Sequence, residues 1–358
     1  MPALHPALLM VLQLALSLVF TLASVLVFFY AERKGSAFIQ DRLGPTHVGK
    51  MGLLQPAADL IKLLGKETIV PASATKSLFL LAPFLVFAVV FSGFALLPLW
   101  PQLQVFQSVP GGLLLMLGIV SIDAIALLMA GYASRSKFPL IGAGRAVAQM
   151  VSYEVPLGIS VLCFFWISGS AELHVIESLQ FVSGMDRHFG LVAQPFANLA
   201  FHWQQPDGLP GWNAFRYPVL WLLVPVFYAT ILAESNRAPF DIPEGESEII
   251  GGFHTEYSGF LWAVFFLAEY AMMLILSLIM SYLFFGGSAS PIPSFGSASW
   301  ISNPSFFWLV AKSWLICLSM IWVRWTLPRL RVDQLMTLSW KVLTPLSLAV
   351  FSFCILCH

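Results

Sequence analysis

Long, unbroken apolar runs separated by short polar stretches dominate this 358-residue chain. The runs are continuous and not alternating, so they predict membrane-spanning helices and not the strands of a barrel. Eight of them, at 7–30, 77–100, 111–132, 150–168, 217–234, 257–285, 305–325 and 337–357, are each close to the ~20 residues a helix needs to cross a bilayer. A different period appears between the first two. Leu53, Ala57, Leu60, Ile61 and Leu64 share one helical face, with Asp59, Lys62 and Lys66 opposite. Pro56 suits the first turn of that helix and Gly65 its end. The expected fold is all-α: one integral membrane domain over 1–358, polytopic, with eight transmembrane helices plus an amphipathic interfacial helix in the 31–76 loop.

Composition agrees, with 58% hydrophobic and only 10% charged residues. The cations are unevenly spread. Segments 31–76, 135–149, 235–256 and 324–341 hold 15 of the 18 Lys and Arg, while Arg187, Arg216 and Lys312 make up the rest. The positive-inside rule puts those four segments in the cytoplasm and both termini outside, periplasmic in a bacterial inner membrane. The first run has no basic lead and no small-residue cleavage site, so it is expected to be retained.

Against this background four acids stand out. Asp123, Glu154, Glu234 and Glu269 lie in or at the edge of spanning runs, where a carboxylate costs at least ~2.5 kcal/mol on insertion scales. Glu269 falls about 18 Å along its helix from Tyr257 at ~1.5 Å per residue, and Asp123 is near the middle of its run. Glu154 and Glu234, near cytoplasmic ends, could snorkel or pair with Arg145 and Arg237. Lys312 also needs a partner inside its run.

Segment 234–256 carries six acids, Glu234, Asp241, Glu244, Glu246, Glu248 and Glu256, and one cation, Arg237. Pro239, Phe240, Ile242, Pro243, Ile249 and Ile250 are interleaved, which predicts packing against protein and not a solvated acidic face. Closely spaced carboxylates raise one another's pKa and can hold protons near neutral pH. That suits a proton reservoir or relay, and equally a docking surface for a basic partner.

Other chemistry is absent from the sequence. Cys163, Cys317, Cys354 and Cys357 sit in apolar runs as small buried hydrophobes, and the haem-attachment spelling Cys354-Ile-Leu-Cys357-His358 ends the sequence with no fold after it to enclose a haem. The outer connection 169–216 is long, and its His174, His188 and His202 are too scattered for a metal site. No phosphate loop, dinucleotide glycine pattern or internal repeat is found. The chain is not expected to bind NADH, a metal or nucleic acid itself.

Several stretches carry a specific resemblance. Glu32-Arg33-Lys34, Gln40-Asp41-Arg42-Leu43-Gly44-Pro45, Gly52–Asp59, Arg145–Gln149, Ser152-Tyr153-Glu154, Glu234–Asp241, Glu244–Glu248, Ala268-Glu269-Tyr270 and Asp333–Met336 come in the order seen in the H subunit of respiratory complex I, the family that includes mitochondrial subunit 1. The resemblance implies a membrane subunit of proton-pumping NADH:quinone oxidoreductase that walls the quinone chamber. By that resemblance Arg33, Arg42, Asp59 and Lys62 match the chamber entrance. Glu234, Arg237, Asp241, Glu244, Glu246, Glu248 and Glu256 match the acidic loop facing it, and Arg324, Arg329, Arg331 and Asp333 the last cytoplasmic loop. Glu154 and Glu269 match the start of a proton path. Asp123 matches no family acid and rests on burial alone.

The resemblance further implies quinone (ubiquinone or menaquinone) as substrate, with NADH, FMN and iron–sulfur clusters in partner subunits. The implied partners are peripheral-arm quinone-site subunits, adjacent small membrane subunits and membrane lipid. Thr46, Val332, Trp325-Thr326-Leu327 and the length of 169–216 depart from the family pattern. Two other readings are open: the membrane subunit of an energy-converting hydrogenase, with the same fold and no quinone, and a free-standing secondary ion transporter, which the absence of repeats weakens.

Overall fold

A computed structural model describes residues 6–99, 111–181, 208–292 and 304–356, and all regular structure among them is helical. Continuous apolar sequence with few breakers gives long helices: α1 (Pro6–Ile39), α3 (Lys76–Leu96), α4 (Gly112–Ala133), α5 (Lys137–Ser168), α10 (Gly259–Phe284) and α11 (Phe306–Thr326). A last helical run, Val332–Leu356, comprises α12 (Val332–Leu338), a π-helical turn at Ser339–Leu343 and α13 (Thr344–Leu356). These seven are long and apolar enough to cross a membrane. The eighth expected span is shorter than the others. A 3₁₀ segment at Pro218–Leu222 leads into α8 (Leu223–Glu234), and together they form a short apolar helix. Pro218 and Pro225 offer no backbone N–H to the turns that would lengthen it.

Three boundaries differ from those the sequence suggests. α1 continues to Ile39, so Glu32 and Arg33 are helical. α5 begins at Lys137, turning most of the expected 135–149 loop into helix, because Pro139 sits harmlessly in the first turn and no proline follows until Pro156. The last span starts at Val332, not 337.

The amphipathic segment forms α2 (Gln55–Gly65), with Pro56 in its first turn and Leu60, Ile61 and Leu64 exposed. Leu53 precedes the helix. Of the outer connection, the described parts are 169–181, which ends in α6 (Leu173–Phe181), and 208–216, which ends in α7 (Asn213–Arg216). His188, His202, Arg187, Cys357 and His358 lie outside the described residues.

α10 is the axis of the bundle. It packs against α1, α3, α8 and α11, and every residue from Tyr270 to Phe284 is buried. A helix apolar all round belongs in the interior. α5 is a second hub, holding α4, α8 and α13. The acidic loop, with its single turn α9 (Glu246–Ile249), folds back onto α5. There Gly142 meets Gly252 so closely that a Cβ on Gly142 would stand 2.7 Å from the Gly252 Cα. Gly252 itself has φ +58°, a conformation side chains resist.

Candidate functional site

Where α8 ends, Asn236 adopts φ 49° and the chain reverses, which turns Arg237 inward. Its guanidinium lies 3.8 Å from the Tyr270 ring centroid and donates to Glu32 Oε2 at 3.3 Å. The same carboxylate accepts from the Tyr270 hydroxyl and from Arg324. Three helices and the loop therefore meet on Glu32. Multiple hydrogen bonds to one acid are what make a buried ion cluster tolerable.

Beside it, His254 joins the loop to the bundle. Its Nε2 is 3.0 Å from Glu244 Oε1 and 3.4 Å from Glu269 Oε1. Burial alone lowers an imidazole pKa, but the two carboxylates outweigh it and raise His254 to about 10. Burial pushes Glu244 up, yet its hydrogen bond to His254 and the charges of His254, Arg237 and Arg324 bring it down to about 2. Asp241 goes the other way. Burial, followed by the Glu244 charge, raises it to about 8 against the pull of Arg329 and Arg324. The acidic loop is thus not a set of carboxyls sharing protons alike. Glu244 stays ionised there, while Asp241 titrates just above neutrality.

Beyond Glu269 the polar groups continue through two cavities. The first, about 10 Å³ and so close to the size of one water, is lined by Asp123, Glu234, Asn236 and Glu269 among apolar side chains. The second, about 100 Å³, opens between α4 and α5 and is lined by Ser121, Glu154 and again Glu234. Ser121 donates to Glu154. Gln149 fixes the end of α8 by donating to the Ala233 carbonyl at 2.7 Å. Glu234 is the residue common to both cavities, so the order of groups is Glu244, His254, Glu269, then Asp123 with Glu234, then Glu154.

This arrangement corrects two expected pairings. Arg145 pairs with Glu248 of the folded-back loop and not with Glu154, and it holds Glu248 below the usual carboxylate range. Arg237 pairs with Glu32, not Glu234. In the first loop Arg33 pairs with Asp59, which also accepts from Gln55 at 3.2 Å and lies 3.9 Å from Lys62. Arg42 turns back to Ser36 at 3.4 Å. Arg329 stands against Gly245, whereas Arg331 and Asp333 are exposed and Glu256 is half-buried; none of these three joins the cluster. The side chain of Glu246 lies outside the described residues.

Sequence reasoning missed His254 as a member of the site and passed over Glu32 and Tyr270 except as parts of motifs. The available signal for His254 was a single imidazole inside an acidic run. Glu244, His254 and Glu269 have ligand atoms within 4.8 Å of one another and are the described residues that could hold a metal ion. The carboxylates there already balance an imidazolium.

Long apolar helices around a row of buried and half-buried carboxylates define a multi-pass membrane protein. The chain belongs to the NADH dehydrogenase family, whose model matches residues 12–355. It is 46% identical over 334 residues to the second NADH-quinone oxidoreductase H subunit of Cytophaga hutchinsonii, covering 89% of this chain and 91% of that one. It is 43% identical over 348 residues to the NADH-quinone oxidoreductase H subunit of Chlorobaculum parvum, covering 96% and 90%. The corresponding protein of Rubrobacter xylanophilus is 41% identical over 333 residues, covering 92% and 89%.

Proposed function

We propose that this chain is the H subunit of a proton-translocating NADH:quinone oxidoreductase, the membrane wall of its quinone chamber, and that it couples quinone reduction to proton movement through buried carboxylates. The observation that carries this reading is the order Glu244, His254, Glu269, Asp123 and Glu234, Glu154, with Glu234 shared by two cavities. Reduction of a quinone takes up protons beside the loop. Asp241, titrating at about 8, and the Glu244–His254 pair are the groups that feel the change, and the row passes it toward the α4–α5 face, where an adjacent membrane subunit would receive it.

Redox centres and NADH belong to partner subunits in this reading, and quinone is the substrate. The exposed Leu60, Ile61 and Leu64 of α2 suit a seat in the headgroup plane. Arg33, Asp59 and Lys62 stand on the side from which a quinone would arrive. Pro218–Glu234 is the eighth, short span, and both termini face the periplasm. The membrane subunit of a hydrogenase would share the bundle. What favours the quinone enzyme is that the relatives at 41–46% identity are subunits of NADH-quinone oxidoreductases.

Glu234→Gln tests the proposal. The assembled complex should retain NADH oxidation by artificial acceptors, which bypass the membrane, and lose most proton pumping in proteoliposomes. Pumping at the native ratio of protons to electrons would refute a path through Glu234.

A further inference from the structure

The carboxylate row makes no use of the outer end of α10, and that end is built with care. A helix leaves its last carbonyls without intrahelical donors. Here side chains from three other elements supply them. Gln180 of α6 donates to the Tyr282 carbonyl at 2.8 Å, and Asn213 of α7 to the Leu283 carbonyl at 2.9 Å. Lys312 of α11 places Nζ 2.6 Å from the Phe285 carbonyl, 3.0 Å from Gly287 and 2.6 Å from Ala289. Three acceptors use all three donors of an ammonium. The Trp212 ring covers it, with the centroid 4.0 Å from Nζ. Gly286 and Gly287, at φ +73° and +53°, make the turn that closes this cradle. Glu177 accepts from the Ser288 N–H at 2.7 Å and holds its far side.

Below the cradle a line of small polar side chains descends to the Glu32–Tyr270 cluster. Ser277 and Ser281 lie seven and eleven residues beyond Tyr270, each within about 20° of its face of the helix. Thr21 and Ser24 on α1, and Ser313 and Cys317 on α11, are buried in the neighbouring helices, at 0–3% exposure. Cys317 Sγ stands 3.1 Å from Ser277 Oγ. Small residues of this kind let helices pack closely, and several satisfy themselves locally, as Thr21 does on the Ser17 carbonyl. Ser24 and Ser281 do not: their hydroxyl oxygens are buried without a hydrogen-bond partner. These residues give the helices around α10 a polar content along the roughly 22 Å from Tyr270 to Phe285 at ~1.5 Å per residue, with Ser277 and Cys317 touching across two of them.

We propose that Lys312 is an electrostatic plug: its ammonium, fixed in the carbonyl cradle, closes the outer end of this hydroxyl-lined seam and denies protons and small cations a route from outside to the Glu32–Tyr270 network. A fixed positive charge raises an electrostatic barrier to cations, and the three carbonyls around Lys312 offset the cost of burying it. The assignment rests on the proposed orientation, with α10 ending outside, and on the inner network being the coupling site.

The test is passive leak in the assembled complex, reconstituted in proteoliposomes without NADH, so it is independent of turnover. An imposed pH gradient should decay about tenfold faster in Lys312→Met than in the native complex, equivalent to ~1.4 kcal/mol of barrier. Lys312→Arg should stay tight, because the charge is kept. A native rate in Lys312→Met overturns the proposal, as does an equal leak in Lys312→Arg. Should Lys312→Met not assemble, Ser281→Cys in the native-lysine background serves instead, treated with an impermeant cationic thiol reagent added to each side separately. Protection from the outer side supports the plug, and fast modification from that side overturns it.

Discussion

His254→Asn removes one cation from between two acids while keeping a polar side chain of similar reach, and its effect can be sized from the site. Glu244, 3.0 Å from the imidazole, is held at about 2 instead of 4.5, which corresponds to about 3 kcal/mol. The rise of His254 to about 10 describes the same contact from the other side, so the two are not added. The native pair is charged across the neutral range. The imidazole contribution to stability is complete below its unfolded value of 6.5 and fades as pH rises toward about 10. The carboxylate contribution is complete above 4.5 and is lost only as pH falls toward about 2. Without the imidazolium, the burial that raises Glu244 is opposed only by Arg237 and Arg324, so the acid should move above the ordinary carboxylate range and take up its proton on the acid side of neutrality. Coupled NADH:quinone turnover in proteoliposomes, measured from pH 6 to 8, should then fall toward the acid side in the variant more steeply than in the native complex. An infrared difference spectrum on quinone reduction should gain a protonated-carboxyl band that Glu244→Gln removes. A native pH profile together with a native pumping ratio would refute the bridge.

Two further outcomes follow from packing and burial. Gly142→Ala puts a Cβ 2.7 Å from the Gly252 Cα, an overpacking that costs about 1–3 kcal/mol and shifts the turn carrying His254; it should lower both the melting temperature and quinone turnover, while Gly144→Ala, with nothing within 4 Å of its Cβ, changes neither. Glu32→Gln leaves Arg237 and Arg324 without their shared anion and should destabilise the assembled complex by about 3–5 kcal/mol, partly recovered by adding Arg237→Met; an unchanged melting curve for the single variant would show that the cluster is not held by charge.

What the sequence made legible is what depends on composition and period. Spanning runs, the amphipathic face of 55–65 and the depth of Asp123 and Glu269 all follow from counting residues along helices. So does the suspicion that segment 234–256 packs against protein. Partner choice was not legible, because it depends on how the chain returns. Arg145 looks free to reach Glu154 until α5 is seen to start at Lys137 and the loop to fold over it, bringing Glu248 within 2.5 Å. Arg237 is three residues from Glu234, yet the left-handed turn at Asn236 sends it to Glu32, 205 positions away. Lys312 could be marked as needing a partner, but backbone carbonyls have no letter in a sequence. Asp123, matched to no motif, is placed beside Glu234 and Glu269 by the fold alone.

Under the proposed function, the distribution of cations links the loop to the spans. Arg237, Arg324 and Arg329 all act on the loop side, around Glu32, Asp241 and Glu244. Neither cavity on the far side of Glu269 has a Lys or Arg in its lining, although three carboxylates stand in them besides Glu269. A charge change near Asp241 is therefore met first by fixed arginines that do not move protons at all. It can be handed on only through a group that touches both sides and changes protonation itself. Among the described residues His254 touches both sides, Glu244 of the loop and Glu269 of α10; in the proposed coupling it is charged at rest and gives up its proton only when the charge around Glu244 changes. In the proposed coupling, arginines on one side set the resting state, acids on the other stand in cavities without Lys or Arg in their lining, and the imidazole between them would convert a local event into a shift along the row. An arginine in place of His254 would keep the charge and break the relay, which separates proton transfer from electrostatic support in a single substitution.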